Sequence, residues 1–119
     1  MKWYLTKIVF QIICGEGNHT PQFDEQLRII EASSETEAYL KACSIGKNAQ
    51  DCFENDQHKL VQWNFVNVSE LYEINDFLDG AEIHSWVQET ANAEGYTAFI
   101  HKKAENLRQG VYSVQTITH

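Results

Sequence analysis

Residues 2–14, opening Lys2-Trp3-Tyr4 and closing Ile12-Ile13-Cys14, carry apolar side chains at both parities of an extended chain. Ile8, Phe10, Ile12 and Cys14 share one face, while Trp3, Leu5, Val9 and Ile13 take the other. Such a segment is either a central strand covered on both sides for much of its length, or a strand with a bulge near Lys7. The rest of the chain has to be arranged around it. Phe23 to Ala32 follows as a second strand, with Phe23, Leu27 and Ile29 on one side and Asp24, Gln26 and Arg28 on the other. The two are expected to pair as an antiparallel hairpin.

Between them lies a polar loop that holds the only proline, two of the six glycines and His19. Long connectors between strands are candidates for function, because sites tend to sit on loops carried by a rigid scaffold. Downstream, Ser34-x-x-Glu37 forms a capping box, and Ala38, Ala42, Ile45 and Ala49 recur at helical spacing behind it, with Gly46 weakening the helix near its end. A short strand at 51–54 turns through Asn55-Asp56 into a long one at 60–74. There the apolar phase passes from Val61, Trp63 and Phe65 to Val66, Val68 and Tyr72, which calls for a bulge around Phe65-Val66. Asp79-Gly80 is the dipeptide of a type I′ turn, so Ala81 to Val87 is expected to return as a strand, with Tyr72 opposite Val87. Asn92 caps a last helix with the stripe Tyr96, Phe99, Ile100 and Leu107; Gly110 is placed as its stop and 111–117 as a terminal strand or tail. Two strands, a helix, a strand meander and a late helix make an α+β domain with an antiparallel β-sheet and helices packed on one face.

The chain's 119 residues suit a single α+β domain over 1–119. A net charge of −8, with no Lys or Arg between Lys59 and Lys102, argues against nucleic acid and anionic membranes, which need cations to replace released counterions. A basic protein partner is compatible with it. The apolar runs fall short of the ~18 residues of a membrane span, and the N-terminus lacks the pattern of a signal peptide. Three cysteines do not make a disulfide framework, so the expected location is cytoplasmic.

Several of these segments resemble a known family. Lys2-Trp3-Tyr4, the run Phe23 to Ala32, Ser34-x-x-Glu37-Ala38, Val61 to Phe65, Val68 to Glu73, Asp79-Gly80 and Ile83 to Ser85 are similar to the bacterial domain of unknown function numbered 4288. The resemblance covers a core of about residues 2–88 and leaves 89–119 as a C-terminal helical extension. It implies a small α+β protein and brings no catalytic residues. The 15–22 loop stands out as an addition to the family pattern.

Candidate sites are few. His19, Asp24 and Glu25 are the polar contacts that a small ligand would meet at the Gly15–Gln22 loop. Cys14, His19, Cys52 and His58 have the chemistry of a tetrahedral zinc site, at spacings unlike familiar zinc motifs. No cofactor motif is present: Gly15-Glu16-Gly17 is too short to cradle a phosphate and opens no helix. Trp3 and Trp63 suit a core, whereas Trp86 on an exposed strand would hint at an interface. The leading expectation is a non-enzymatic interaction module acting as a homo-oligomer. The alternative is a small-ligand-binding domain or minor enzyme with its site at the loop.

Overall fold

A computed structural model describes residues 1–118, with side chains described as far as Gly110. The elements run β1 (Lys2–Cys14), β2 (Gln22–Ala32), α1 (Glu35–Asn48), β3 (Asp51–Glu54), β4 (Leu60–Ile74) and α2 (Ala93–Thr118). The chain divides into two compact units, Met1–Ser85 and the remainder from Trp86 onward.

In the first unit the four strands form one antiparallel sheet in the order β2-β1-β4-β3. The strand apolar at both parities is indeed internal, flanked by β2 and β4. Its even residues are the buried ones: Tyr4, Thr6, Ile8 and Phe10 are each at most 2% exposed. They meet Ala38 and Ala42 of α1, with Ile30 and Ala32 of β2 completing the core. Burying side chains of the size of Ile8 and Phe10 contributes about 1.5–3 kcal/mol each. Thr6 belongs in this row because its hydroxyl donates to the Arg28 carbonyl at 3.1 Å.

Helix α1 begins where the capping box predicts. Ser34 accepts from the Glu37 backbone N–H at 3.2 Å, while the Glu37 carboxylate accepts from the Ser33 hydroxyl. Sequence patterning assigns Gly46 the part of a weak helix position, but the structure gives it another. It is buried, and a Cβ there would overlap the Phe65 ring and lie 3.1 Å from Ile8 Cγ2. Glycine is what lets the helix approach the sheet.

The phase change in β4 is real. Phe10 pairs with Phe65 and Val9 with Asn67, so Val66 is looped out of the ladder; a second shift, between Lys7 and Ile8, skips Ser69. The Asp-Gly turn differs from expectation. The Ala81 N–H donates to the Leu78 carbonyl at 3.0 Å, and Gly80 has φ +83°, but Asp79 does not share a positive φ. Without two positive φ values the turn lacks the twist that feeds a hairpin. Residues 81–87 form no strand, and Tyr72 stacks on His84 instead of pairing with Val87. Trp3 is 42% exposed and contacts Phe77; Trp63 is half-buried on the core side; Trp86 is 76% exposed and lies outside any strand.

In the second unit Asn92 caps α2, its Oδ1 accepting from the Gly95 N–H at 3.0 Å. Lys103, which interrupts the apolar stripe, sits 4.6 Å over the Phe99 ring. Gly110 does not end the helix; the backbone remains helical to Thr118, where a terminal strand or tail was expected.

Gly46→Ala tests the close approach. Helix propensity alone would favour alanine by about 1 kcal/mol. Overlap with Phe65 is expected to reverse that sign and leave a net loss of about 1–3 kcal/mol in urea denaturation.

Candidate functional site

Pairing of β1 with β4 brings the 15–21 loop beside the 55–59 turn at one end of the sheet. The loop is built by its backbone. Gly15 and Gly17 take φ values of +59° and +82°, the Gly15 N–H donates to the Leu60 carbonyl at 2.7 Å, and the Gly17 N–H to the Cys14 carbonyl at 3.0 Å. The facing turn is held by Asn55 Oδ1, which accepts from the N–H groups of Gln57 and Lys59 at 2.9 and 3.0 Å. Between them lies an open cleft of about 850 Å³ that includes His19, Asn18, Gln22, Asn55 and Lys59 in its wall.

His19 is already engaged at both ring nitrogens. The Cys14 N–H donates to Nε2 at 3.0 Å, so Nδ1 carries the proton and donates to the Thr20 carbonyl at 2.9 Å. The imidazole is therefore a latch across the base of its own loop. Asp24 and Glu25 leave in opposite directions. Asp24 Oδ2, on the α1 side of the sheet, accepts from Trp63 Nε1 at 3.0 Å and from Gln26 Nε2 at 2.7 Å. Glu25 lies on the other face, 3.6 Å from Lys7 Nζ. The three ligand candidates do not converge.

Nor do the four metal candidates. Cys14 is opposite Val61, itself opposite Phe53, whereas Cys52 is opposite Gln62, itself opposite Ile13; the two thiols project from opposite faces. His58 Nδ1 lies 3.0 Å from Glu54 Oε1. Among the described residues no three His, Cys, Asp or Glu side chains are grouped to hold a metal ion.

A second constellation occupies the face away from α1 and was missed in the sequence. Lys7 Nζ lies 2.7 Å from Glu70 Oε2, the Tyr72 hydroxyl donates to Glu70 Oε1 at 2.6 Å, and the Tyr72 ring stacks on His84 with centroids 3.5 Å apart. The signal was Lys7, a lone cation in the middle of an apolar strand, but Glu70 reaches it only through the register shift at Ser69. The hydrogen bond with Glu70 raises the Lys7 pKa, and the bonds from Lys7 and Tyr72 hold the Glu70 carboxyl below its ordinary range. Donating its hydroxyl to the Glu70 carboxylate raises the Tyr72 pKa. All three shifts move away from neutrality, the opposite of what proton transfer near pH 7 requires. The network fixes the side chains of Lys7, Glu70 and Tyr72 relative to one another.

A model of the family described as Domain of unknown function (DUF4288) matches residues 3–85. The chain belongs to this family. The DUF4288 span takes in all four strands, α1, the cleft and the Lys7–Glu70–Tyr72–His84 network, and leaves α2 outside. No curated protein and no solved structure matches the chain. No helix among the described residues is long and apolar enough to cross a membrane.

Two measurements probe these assignments. His19→Ala removes the acceptor of the Cys14 N–H and is expected to speed exchange of that amide about fivefold, the equivalent of about 1 kcal/mol for one hydrogen bond. For the network, a carboxyl held below its usual range stabilises the folded chain above that range and loses the contribution as pH falls through the folded value. Lys7→Met is expected to return the Glu70 titration midpoint, followed by carboxyl-carbon NMR, toward its ordinary range, and Glu70→Gln to flatten the acid limb of stability.

Proposed function

We propose that this DUF4288 member is a non-enzymatic interaction module that self-associates through its sheet. One observation carries the proposal: β2 is an edge strand whose face away from α1 presents a row of exposed apolar side chains, Phe23 at 54%, Leu27 at 64% and Ile29 at 47%. Exposed apolar side chains of this kind, with only Glu25 set among them, suit burial against a second surface, and a second copy offers the same surface in a closed two-fold arrangement. The charged network beside it adds directionality, since an ion pair within an apolar patch favours one register of contact over others. The acidic balance disfavours nucleic acid and membrane partners and leaves room for a basic protein.

The loop cleft supports a second reading, capture of a small polar ligand. Its amide side chains and Lys59 are suitable contacts, but Asp24 and Glu25 lie outside it, and its described lining includes no aromatic platform. Self-association therefore has the stronger support.

Native mass spectrometry and light scattering provide the test. The expected mass is twice the 13.7 kDa of one chain. Leu27→Glu is expected to weaken association about tenfold or more while leaving the thermal midpoint of the monomer unchanged, because residue 27 is exposed and opposite Lys7. A wild-type chain that stays monomeric at every concentration would overturn the proposal.

A further inference from the structure

The self-association proposed above leaves its geometry open, and the side chains of β2 narrow it. Asp24, Gln26 and Arg28 form a hydrogen-bonded ladder along the α1 side of this strand. Gln26 Nε2 donates to Asp24 Oδ2 at 2.7 Å, and Arg28 donates to Gln26 Oε1 through Nε at 3.2 Å and Nη2 at 2.8 Å. The ladder is negative at one end, neutral in the middle and positive at the other. Charges on an edge strand ordinarily keep it from pairing with its own kind. A ladder of this polarity does the reverse when a second copy runs antiparallel to it.

We infer that two copies of the chain join edge to edge along β2, with the two-fold axis passing through Gln26. In that register Asp24 lies opposite the partner's Arg28, and Arg28 opposite Asp24 of the partner subunit, giving two symmetric opposite-charge pairs. On the other face Phe23 lies opposite the partner's Ile29, while Leu27 lies opposite the partner's Glu25. Paired residues run from Gln22 to Ile30, and Pro21, which has no N–H to give to a ladder, falls just outside. The inference rests on the self-association proposed above.

Neighbouring registers are poorer. An axis at Glu25 sets that carboxylate against its own copy, and an axis at Arg28 does the same with two guanidinium groups; like charges directly opposite are destabilising. An axis at Leu27 gives a favourable leucine pair but places Asp24 against Ile30 and Phe23 against Glu31. The axis at Gln26 sets Leu27 opposite the partner's Glu25, but alone among these it pairs Asp24 with Arg28 and Phe23 with Ile29. The product is a continuous eight-stranded antiparallel sheet with both α1 helices on the same side.

Only the residue on the axis faces its own copy, which makes disulfide trapping specific for the register. Directly opposed residues in an antiparallel ladder have Cα atoms about 4.5–5.5 Å apart, within the range a disulfide spans. With the exposed Cys52 changed to serine, Gln26→Cys is expected to form a covalent dimer on oxidation. Glu25→Cys and Leu27→Cys are each expected to remain uncrosslinked alone, yet to link to one another when mixed. A measurement without cysteine gives an independent check. Arg28→Asp leaves the Asp24–Trp63 bond in place but sets carboxylate against carboxylate, and is expected to weaken association about tenfold or more. Circular dichroism confirms that each variant is folded. A wild-type dimer in which Gln26→Cys fails to crosslink, Leu27→Cys crosslinks alone, or Arg28→Asp associates normally would overturn the register while leaving self-association standing. A monomeric wild-type chain would remove both.

Discussion

Close approach between α1 and the even face of β1 is the constraint on which the first unit depends. Tyr4, Thr6, Ile8 and Phe10 present a continuous buried row, and the helix meets it with alanine at 38 and 42 and glycine at 46. Small residues at successive turns bring the helix backbone down onto the sheet, so the large side chains on the strands fill the space between. Phe65 is the clearest case: its ring packs edge-on against Phe10 with centroids 6.2 Å apart and occupies the place a larger residue at 46 would need. The first register shift of β4 belongs to the same problem, because looping out Val66 keeps Phe65 and Val68 both on the core side.

Within the first unit its one helix, α1, covers one face of the four-stranded sheet. The other face therefore departs from a uniform apolar surface, and its composition changes across the strands. Near β4 it is tied down locally, with Tyr72 under His84, Trp3 against Phe77, and Lys7 joined to Glu70. Near β2 the same face is left to Phe23, Leu27 and Ile29, all about half exposed or more. The ionic contacts at Lys7 are partly solvated and screened, so their contribution is to orientation more than to stability. The face thus has a settled half and an open half, with the boundary near Lys7.

Much of this was legible in the sequence because it followed from local periodicity. Alternation in β2 assigned Phe23, Leu27 and Ile29 to one face and the Asp24–Gln26–Arg28 ladder to the other, as the register shows. The capping box marked the start of α1, and the phase change in β4 located a bulge. Features that depend on long-range geometry were not legible. Gly46 looked like a weak helix position because its function is set by Phe65, nineteen residues away in β4. Tyr72 was placed in the apolar phase opposite Val87 and Glu70 was not singled out, because the connection to Lys7 requires the second register shift. Asp79-Gly80 misled, since the dipeptide permits a primed turn without compelling one.

The candidate sites show the same division at closer range. His19 was singled out for its chemistry, but its surroundings decide its role: with Nε2 accepting from the Cys14 N–H and Nδ1 directed at the Thr20 carbonyl, both coordinating positions serve the loop. A metal or ligand that needed either nitrogen would have to replace a hydrogen bond that holds the cleft in shape. Asp24 and Glu25, adjacent in sequence, are separated by the sheet itself, because successive strand residues point to opposite faces. Adjacency in a loop can gather chemistry, whereas adjacency in a strand divides it. Along β2 that division gives one face the Asp24–Gln26–Arg28 ladder and the other Phe23, Glu25, Leu27 and Ile29.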